Sequence, residues 1–261
     1  MNRTVLITGS TRGIGLAAAA EFLNNGDRVV IFCRHERHLK DASDYLLTFG
    51  KKENILALAG DVQNGKDVIR IITRSLQQFQ SLDVLVNNAG TAVYKPIKET
   101  TEKDWDLIIN TNLKGSFLFS REVVPVMRRQ GKGIIINVAS GLGIEGAANF
   151  SAYCASKFGV IGLTRALADE TALLGIRVYA ILPGSVDTTL VKKEEISFDS
   201  ELSQMLAEDP TAHVPKTWVY ATFPNMGTDP SELMSPEHIA RQIVKIAKGE
   251  KKTGALVAVY S

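Results

Sequence analysis

Thr4-Val5-Leu6-Ile7-Thr8-Gly9-Ser10-Thr11-Arg12-Gly13-Ile14-Gly15 decides how the rest of the chain is read. Val5-Leu6-Ile7 is a short apolar run closed by a glycine-rich turn, the pattern of a buried strand. Gly13 opens a helical stretch that runs to Asn25 and is stopped by Gly26. The turn between strand and helix has the spacing Gly-x3-Gly-x-Gly. Glycines there permit a tight bend and close backbone approach to a pyrophosphate, whose charge suits a helix N-terminus. The spacing departs from the usual G-x-G-x-x-G, and a glycine-rich strand-to-helix turn is also compatible with a purely structural bend.

Outward from this unit the same alternation repeats. Strands are expected at Arg28 to Cys33, Ile55 to Ala59, Leu82 to Val86, Ile134 to Val138 and Arg177 to Leu182. Helices are expected at Glu36 to Phe49, about Asp67 to Phe79, about Glu102 to Arg129, and Ala152 to Leu173. Continuous apolar strands alternating with helices imply parallel strands covered on both faces. Right-handed crossovers then favour a doubly wound α/β sheet. No linker or internal repeat interrupts the pattern, so residues 1–261 are read as one domain.

Composition narrows the function classes. The hydrophobic fraction of 45% suffices for a core, and a formal charge of +2 with no long basic block gives no support to nucleic-acid binding. Cys33 and Cys154 form neither a disulfide framework nor a zinc spacing, and His35, His38, His213 and His238 show no metal-ligand pattern, so no metal is expected. The N-terminus lacks the pattern of a signal peptide, and no apolar run approaches the ~20 residues of a membrane helix. A soluble cytoplasmic protein without a membrane partner is the expectation.

The end of the second strand bears on cofactor choice. A site selective for NAD places Asp or Glu about twenty residues beyond the glycine turn, on the ribose 2′-hydroxyl. Here the positions read Phe32-Cys33-Arg34. Arg34 suits a 2′-phosphate, and Arg12 inside the turn is a second candidate. Guanidinium–phosphate contacts are charge-assisted and can be bidentate. The pair favours NADP(H) over NAD(H).

Tyr153-Cys154-Ala155-Ser156-Lys157 carries the chemistry. On a helix Tyr153 and Lys157 lie at i and i+4, on one face. A phenol titrates near ~10, too high for easy proton exchange at neutral pH. An ammonium about 4 Å away at an effective dielectric of about 20 favours the phenolate by roughly 4 kcal/mol, or ~3 pKa units. The same spacing also describes an ordinary packed pair. Cys154, one step along the helix and about 100° away, reads as core.

Thr8-Gly9 to Gly15, Asp61-Val62, Asn87-Asn88-Ala89-Gly90, Asn112 in Asn110-Thr111-Asn112-Leu113, Ser140, Tyr153 to Lys157, and Pro183-Gly184 to Thr188 occur in the order of one family. Over about residues 1–190 the chain resembles a short-chain dehydrogenase/reductase. The resemblance implies an NAD(P)-dependent oxidoreductase on a single Rossmann-like sheet of order 3-2-1-4-5-6-7. It implies cofactor contacts at Gly9, Ser10, Thr11, Arg12, Gly13, Ile14 and Gly15. Asp61 would lie beside the adenine with backbone support from Val62, and Asn88, Ala89 and Gly90 would border the adenosine ribose. Asn87 would be structural. Thr188 would meet the nicotinamide carboxamide, helped by the Val186 backbone after the Pro183-Gly184 turn. Ser140 would orient the substrate carbonyl, and Tyr153 would give or take its proton. Lys157 would lower the Tyr153 pKa and bind the nicotinamide ribose. Asn112 would hold a water near Lys157.

The expected activity is NADP(H)-dependent interconversion of a carbonyl and a secondary alcohol. The specific form suggested by the resemblance is a 3-oxoacyl-(acyl-carrier-protein) reductase-like reaction, with sugars, polyols or small xenobiotic carbonyls as other candidates. The competing reading is a redox sensor or scaffold that binds NADP without turnover. Ser140, Tyr153 and Lys157 together argue against it. Residues 189–228 break the alternation and are expected to cover the substrate as a lid whose aromatic groups favour an apolar substrate component. Ala155, Gly159, Gly162 and Ala166 form a small-residue face that serves packing within the chain or against a second copy. The resemblance favours a homodimer and leaves a homotetramer open, because the Asp-Gly-Gly tail of many relatives is absent from the terminal Val259-Tyr260-Ser261.

Overall fold

The computed structural model describes residues 2–184, 186, 188, 190, 233–249, 253 and 256–259. β1 (Thr4–Thr8) is buried along its whole length. Val5 and Ile7 enter one core and Leu6 the other, so this strand needs cover on both faces. The described elements that follow are α1 (Gly13–Asn24), β2 (Arg28–Cys33), α2 (Glu36–Leu46), β3 (Ile55–Ala59), α3 (Gly65–Phe79) and β4 (Val84–Asn87). After them come α4 (Glu102–Ile109), α5 (Gly115–Gln130), β5 (Gly133–Val138), α6 (Ser151–Thr171), β6 (Ile176–Pro183), α7 (Pro236–Ala247) and β7 (Leu256–Val259).

The sheet has the order β3-β2-β1-β4-β5-β6-β7, with every pairing parallel. The Rossmann-like α/β order expected from the sequence is therefore present. α1, α2 and α7 contribute Ala19, Phe22, Leu39, Leu46, Ile239 and Ile243 to the core on one face. α3 and α5 contribute Ile71, Phe79, Phe119 and Met127 to the other, and α6 adds Val160 and Ile161 against Ala180 and Leu182. The direction in which successive strands are added to the sheet reverses between β1 and β4, which pair directly and in parallel, Val5 with Val84 and Ile7 with Val86. Ligands bind outside the strand C-termini at such a switch point.

Two boundaries differ informatively from the sequence reading. β4 starts at Val84, not Leu82, because the Gln130 side chain bonds both the N–H and the C=O of Leu82 and holds it out of the ladder. The single helix expected from Glu102 to Arg129 is interrupted by a π-helical turn at Asn110–Lys114. Single π turns inside helices mark places where one residue is re-aimed, frequently at functional sites. The expected lid at 189–228 lies outside the described residues apart from Leu190.

Candidate active site

α1 begins at Gly13 without a side-chain cap and with no acidic residue in its first turn. Its first N–H groups therefore lack an intrahelical or capping partner, which suits an anion. The turn is shaped by contacts that leave no room for side chains. A Cβ on Gly9, whose φ is +63°, would lie 2.8 Å from the Ala89 Cα. One on Gly15 would lie 2.5 Å from both the Asn88 amide nitrogen and the Gly9 carbonyl oxygen. Asn88 donates to the carbonyls of Thr8 and Gly9 at 2.9 and 3.0 Å, while the Thr8 hydroxyl accepts the N–H groups of Asn88 and Ala89. Asn88 and Ala89 thus brace the turn from the end of β4. Ser10 is fully buried, and its hydroxyl donates to the Ile7 carbonyl and accepts the Phe32 N–H, tying the turn to β2.

The surroundings of this turn fit a dinucleotide. Thr188 lies against Gly13, where a Cβ would approach its Cγ2 to 3.2 Å, so the chain after β6 crosses the start of α1. Val186 pairs with Met234 in an isolated parallel bridge close by. Pro183 closes β6 and Gly184 is exposed just beyond it. Thr11 and Ile14 flank the exposed Arg12, and Arg34 is exposed immediately after β2. At the end of β3, the Asp61 carboxylate accepts the Gln63 N–H at 2.9 Å, and Val62 is buried against Gly115. The His35 and His38 rings meet edge to face near Arg34, and no metal-ligating cluster occurs among the described residues.

Beyond β5, Ser140 caps a short helical turn at Gly141–Gly143 by accepting the Leu142 N–H. Gly143 sits directly on α6, since a Cβ there would come within 3.0 Å of the Lys157 carbonyl oxygen. The packing brings Ser140 to Tyr153, whose side chain it hydrogen-bonds. Tyr153 and Lys157 are both buried, with the Lys157 ammonium 5.5 Å from the centre of the Tyr153 ring. Lys157 Nζ donates to the Val138 carbonyl at 2.8 Å.

Burial governs the electrostatics of the pair. Desolvation pushes the Tyr153 phenol up to about 12, partly offset by the Ser140 hydrogen bond, and pushes Lys157 down to about 8. The Lys157-driven lowering of Tyr153 that the spacing suggests is not what dominates here. The ammonium donates to a backbone carbonyl and lies over the Tyr153 ring. Cys154 is buried core, as expected, and its thiol is raised by desolvation.

The π turn aims Asn112 into the same space. Its Oδ1 accepts the Thr91 N–H at 2.8 Å, and its Nδ2 donates to the Thr91 carbonyl and to the Ser156 hydroxyl, both at 2.9 Å. Both amide hydrogens are therefore used within the protein. Gly90 completes the cluster: a Cβ there would lie 3.5 Å from Asn112 Oδ1 and 3.7 Å from Lys157 Nζ. Asn87 lies beneath, bonded to Ser120 and Asn137 across the sheet, consistent with a structural role. Ser156, read from sequence as packing, is the link that was missed. Its hydroxyl donates to the Tyr153 carbonyl at 2.7 Å. Phe150, whose ring contacts both Tyr153 and Tyr94, was missed as well.

Comparison with known proteins adds a frame to this geometry. A family profile described as short chain dehydrogenase matches residues 3–197. A levodione reductase of Leifsonia aquatica is 34% identical over 209 residues, 80% of this chain and 78% of that protein. A 3-oxoacyl-(acyl-carrier-protein) reductase of Staphylococcus epidermidis is 38% identical over 188 residues, 71% of this chain and 76% of its own. Among solved structures, a variant of actinorhodin polyketide ketoreductase determined with NADPH superposes with a TM-score of 0.83 at 29% identity, covering 99% of this chain and 96% of the other.

Proposed function

The chain belongs to the short chain dehydrogenase family, and from that premise we propose that it is an NADP(H)-dependent oxidoreductase that interconverts a carbonyl and a secondary alcohol. The observation that carries this reading is the buried Tyr153–Lys157 pair, with Ser140 on the phenol, set at the same sheet edge as the uncapped start of α1.

The pyrophosphate would lie on the N–H groups of the Gly9 to Gly15 turn, with Asp61, Asn88, Ala89 and Gly90 along the adenosine half. Pro183, Gly184, Val186 and Thr188 would border the nicotinamide half. Arg12 and Arg34, with no acid at the end of β2, favour a 2′-phosphate. When bound, the nicotinamide supplies or accepts the hydride.

The protein's own groups handle the proton. A phenol pushed up to about 12 is fully protonated at neutral pH, the state needed to donate to the oxygen of a carbonyl undergoing reduction. Ser140 would share that oxygen and polarise it. Lys157 would stabilise the resulting tyrosinate and meet the nicotinamide ribose. Because the Asn112 side chain is engaged by Thr91 and Ser156, a water serving Lys157 would rest on the remaining acceptor capacity of Asn112 Oδ1 or its backbone carbonyl.

The relatives' names span a carrier-bound 3-oxoacyl substrate and levodione, so the 3-oxoacyl-(acyl-carrier-protein) reductase-like activity stands as one candidate within this reading. The test is an oxidation assay with NADPH beside NADH against ketones, ketoacyl thioesters and sugars. Turnover with NADPH supports the reading. Tight NADPH binding without turnover across the panel would favour a sensor or scaffold.

For assembly we propose a homodimer through α5 and α6, with a tetramer left to measurement. Gly159 is committed to the chain's own Leu113, where a Cβ would come within 2.6 Å, but Gly162 faces open space, and Ala155, Ala166, Phe117 and Phe158 are exposed. Sedimentation of the purified protein as a monomer at micromolar concentration would remove the dimer. No described helix is long and apolar enough to cross a membrane.

A further inference from the structure

We propose that Tyr94 and Phe150 are specificity-determining residues that select a carbonyl carried on a planar, apolar ring, an inference that rests on the carbonyl-reducing reading above. The Phe150 ring packs between Tyr94, with centroids 5.1 Å apart and planes at 61°, and Tyr153, at 6.0 Å and 60°. The row therefore begins at the proton donor and runs outward from it. Leu142, Ala147 and Val93 pack beside it, so the wall next to the reacting phenol is apolar. Tyr94 at its outer end is half-buried and retains accessible surface.

The backbone builds this wall from two separate segments. The Lys95 N–H donates to the Asn149 carbonyl at 2.9 Å, joining the chain after β4 to the chain before α6. Asn149 adopts a left-handed conformation, φ 63°, which turns the chain so that Phe150 enters the row. The Phe150 carbonyl then accepts the Cys154 N–H at 2.8 Å, in the first turn of α6. Phe150 is thus fixed at both ends, by the turn before it and by the helix that presents Tyr153.

The charged neighbour of the wall is already occupied. Lys95 Nζ pairs with Asp104 at 2.9 Å, and Asp104 also closes a capping box with Thr101 at the start of α4. The Lys95 ammonium, with the Thr101 hydroxyl and N–H, holds the Asp104 carboxyl down at about 2, so the pair stays ionised through the physiological range. Lys95 would have to leave this pair to meet a substrate phosphate or carboxylate. Among the described residues, the Tyr94–Phe150 row presents aromatic and aliphatic surface with no unpaired charge.

That chemistry ranks substrates. An aromatic or fused ring gains tilted ring contacts beyond the area it buries. A linear acyl chain loses rotamer freedom to reach the same contact, and a sugar must bring several hydroxyls to a surface whose side chains offer them little beyond the Tyr94 hydroxyl.

The experiment measures kcat/KM with saturating NADPH for α-tetralone, a linear methyl ketone of the same carbon count, an acetoacetyl thioester of N-acetylcysteamine, and fructose. The expected result is a preference for α-tetralone over the linear ketone of roughly three- to tenfold. Tyr94→Ala and, separately, Phe150→Leu should bring that ratio close to one, mainly through KM, with NADPH affinity by fluorescence titration unchanged. Tyr94→Ala serves as the readout should the more buried Phe150→Leu be unstable. A preference for the linear ketone, the thioester or fructose, or a tetralone preference that both variants retain, would overturn the proposal while leaving carbonyl reduction intact. Absence of turnover on every carbonyl despite NADPH binding would remove the underlying reading, and the inference with it.

Discussion

The Asn112 side-chain amide donates a 2.9 Å hydrogen bond to the Ser156 hydroxyl, and that hydroxyl donates in turn to the Tyr153 carbonyl at 2.7 Å. One buried hydroxyl therefore connects the π turn between α4 and α5 to the helical turn that carries the phenol. Asn112 extends the connection to Thr91 by two further bonds. Ser156→Ala should leave an Asn112 N–H unpaired in the interior at a cost of about 1–3 kcal/mol in stability. It should also lower kcat about tenfold or more through misplacement of Tyr153, with NADPH affinity nearly unchanged. Steady-state kinetics beside an NADPH titration checks this. A variant that loses stability but keeps kcat would show that Ser156 only packs.

The burial of Lys157 has a signature in stability against pH. Its folded-state pKa of about 8 lies below the ordinary 10.5, so between these values the unfolded chain binds more protons than the native one. Stability contributed by this residue therefore rises with pH from about 8 to 10.5, by up to about 3 kcal/mol. Tyr153 acts in the opposite sense at higher pH. Its folded-state value of about 12 lies above the ordinary 10.0, so its contribution is lost as pH rises from 10 towards 12. Denaturant unfolding of the cofactor-free protein beside Lys157→Met, at pH values from neutral to mildly alkaline, should show the parent gaining on the variant as pH rises. Parallel curves would mean that Lys157 titrates normally.

Arg12 and Arg34 separate the two nicotinamide cofactors in this account. Both side chains are exposed and border the turn where the adenosine phosphate would sit. Arg34→Ala should raise KM for NADPH by about tenfold or more, the scale of one lost charge-assisted pair, and leave KM for NADH within about twofold. Preference of the parent for NADH would contradict the assignment.

Gly15 is held by packing. A side chain there meets the Asn88 amide and the Gly9 carbonyl at 2.5 Å, and the second of these is backbone that cannot swing away. Gly15→Ala should cost about 1–3 kcal/mol and weaken NADPH binding, because relief of the clash distorts the same turn. Thermal unfolding with and without NADPH would show both effects. Unchanged stability would mean that the turn relaxes freely.

Much of this architecture was legible in the chain because it is local. Apolar runs such as Val29 to Phe32 and Ile134 to Ile136 have no polar face to show water, so parallel strands covered on both sides follow directly. The glycine turn, Ser140 and the Tyr153–Lys157 spacing were legible for the same reason, each being a short string with a steric or chemical cause. What escaped depends on contacts between distant segments. The π turn at Asn110–Lys114 follows from the demands of Thr91 and Ser156 on Asn112, residues 21 and 44 positions away. The late start of β4 follows from Gln130, 48 positions away. The aromatic row of Tyr94, Phe150 and Tyr153 joins two loops that no periodicity relates. The electrostatic balance of Tyr153 and Lys157 was not legible either, because spacing gives proximity and says nothing of burial or of the Val138 carbonyl that takes the ammonium.

The central claim is that the Tyr153 phenol is the proton donor to the carbonyl. It is tested most directly by Tyr153→Phe, which removes one oxygen and leaves the ring against Phe150 and Lys157 in place. NADPH affinity and kcat are measured on the same preparation, with any carbonyl that the parent reduces. The account predicts affinity close to that of the parent and a kcat lowered at least about 10²-fold, the usual worth of a positioned general acid. Near-normal turnover by the phenylalanine variant would contradict it.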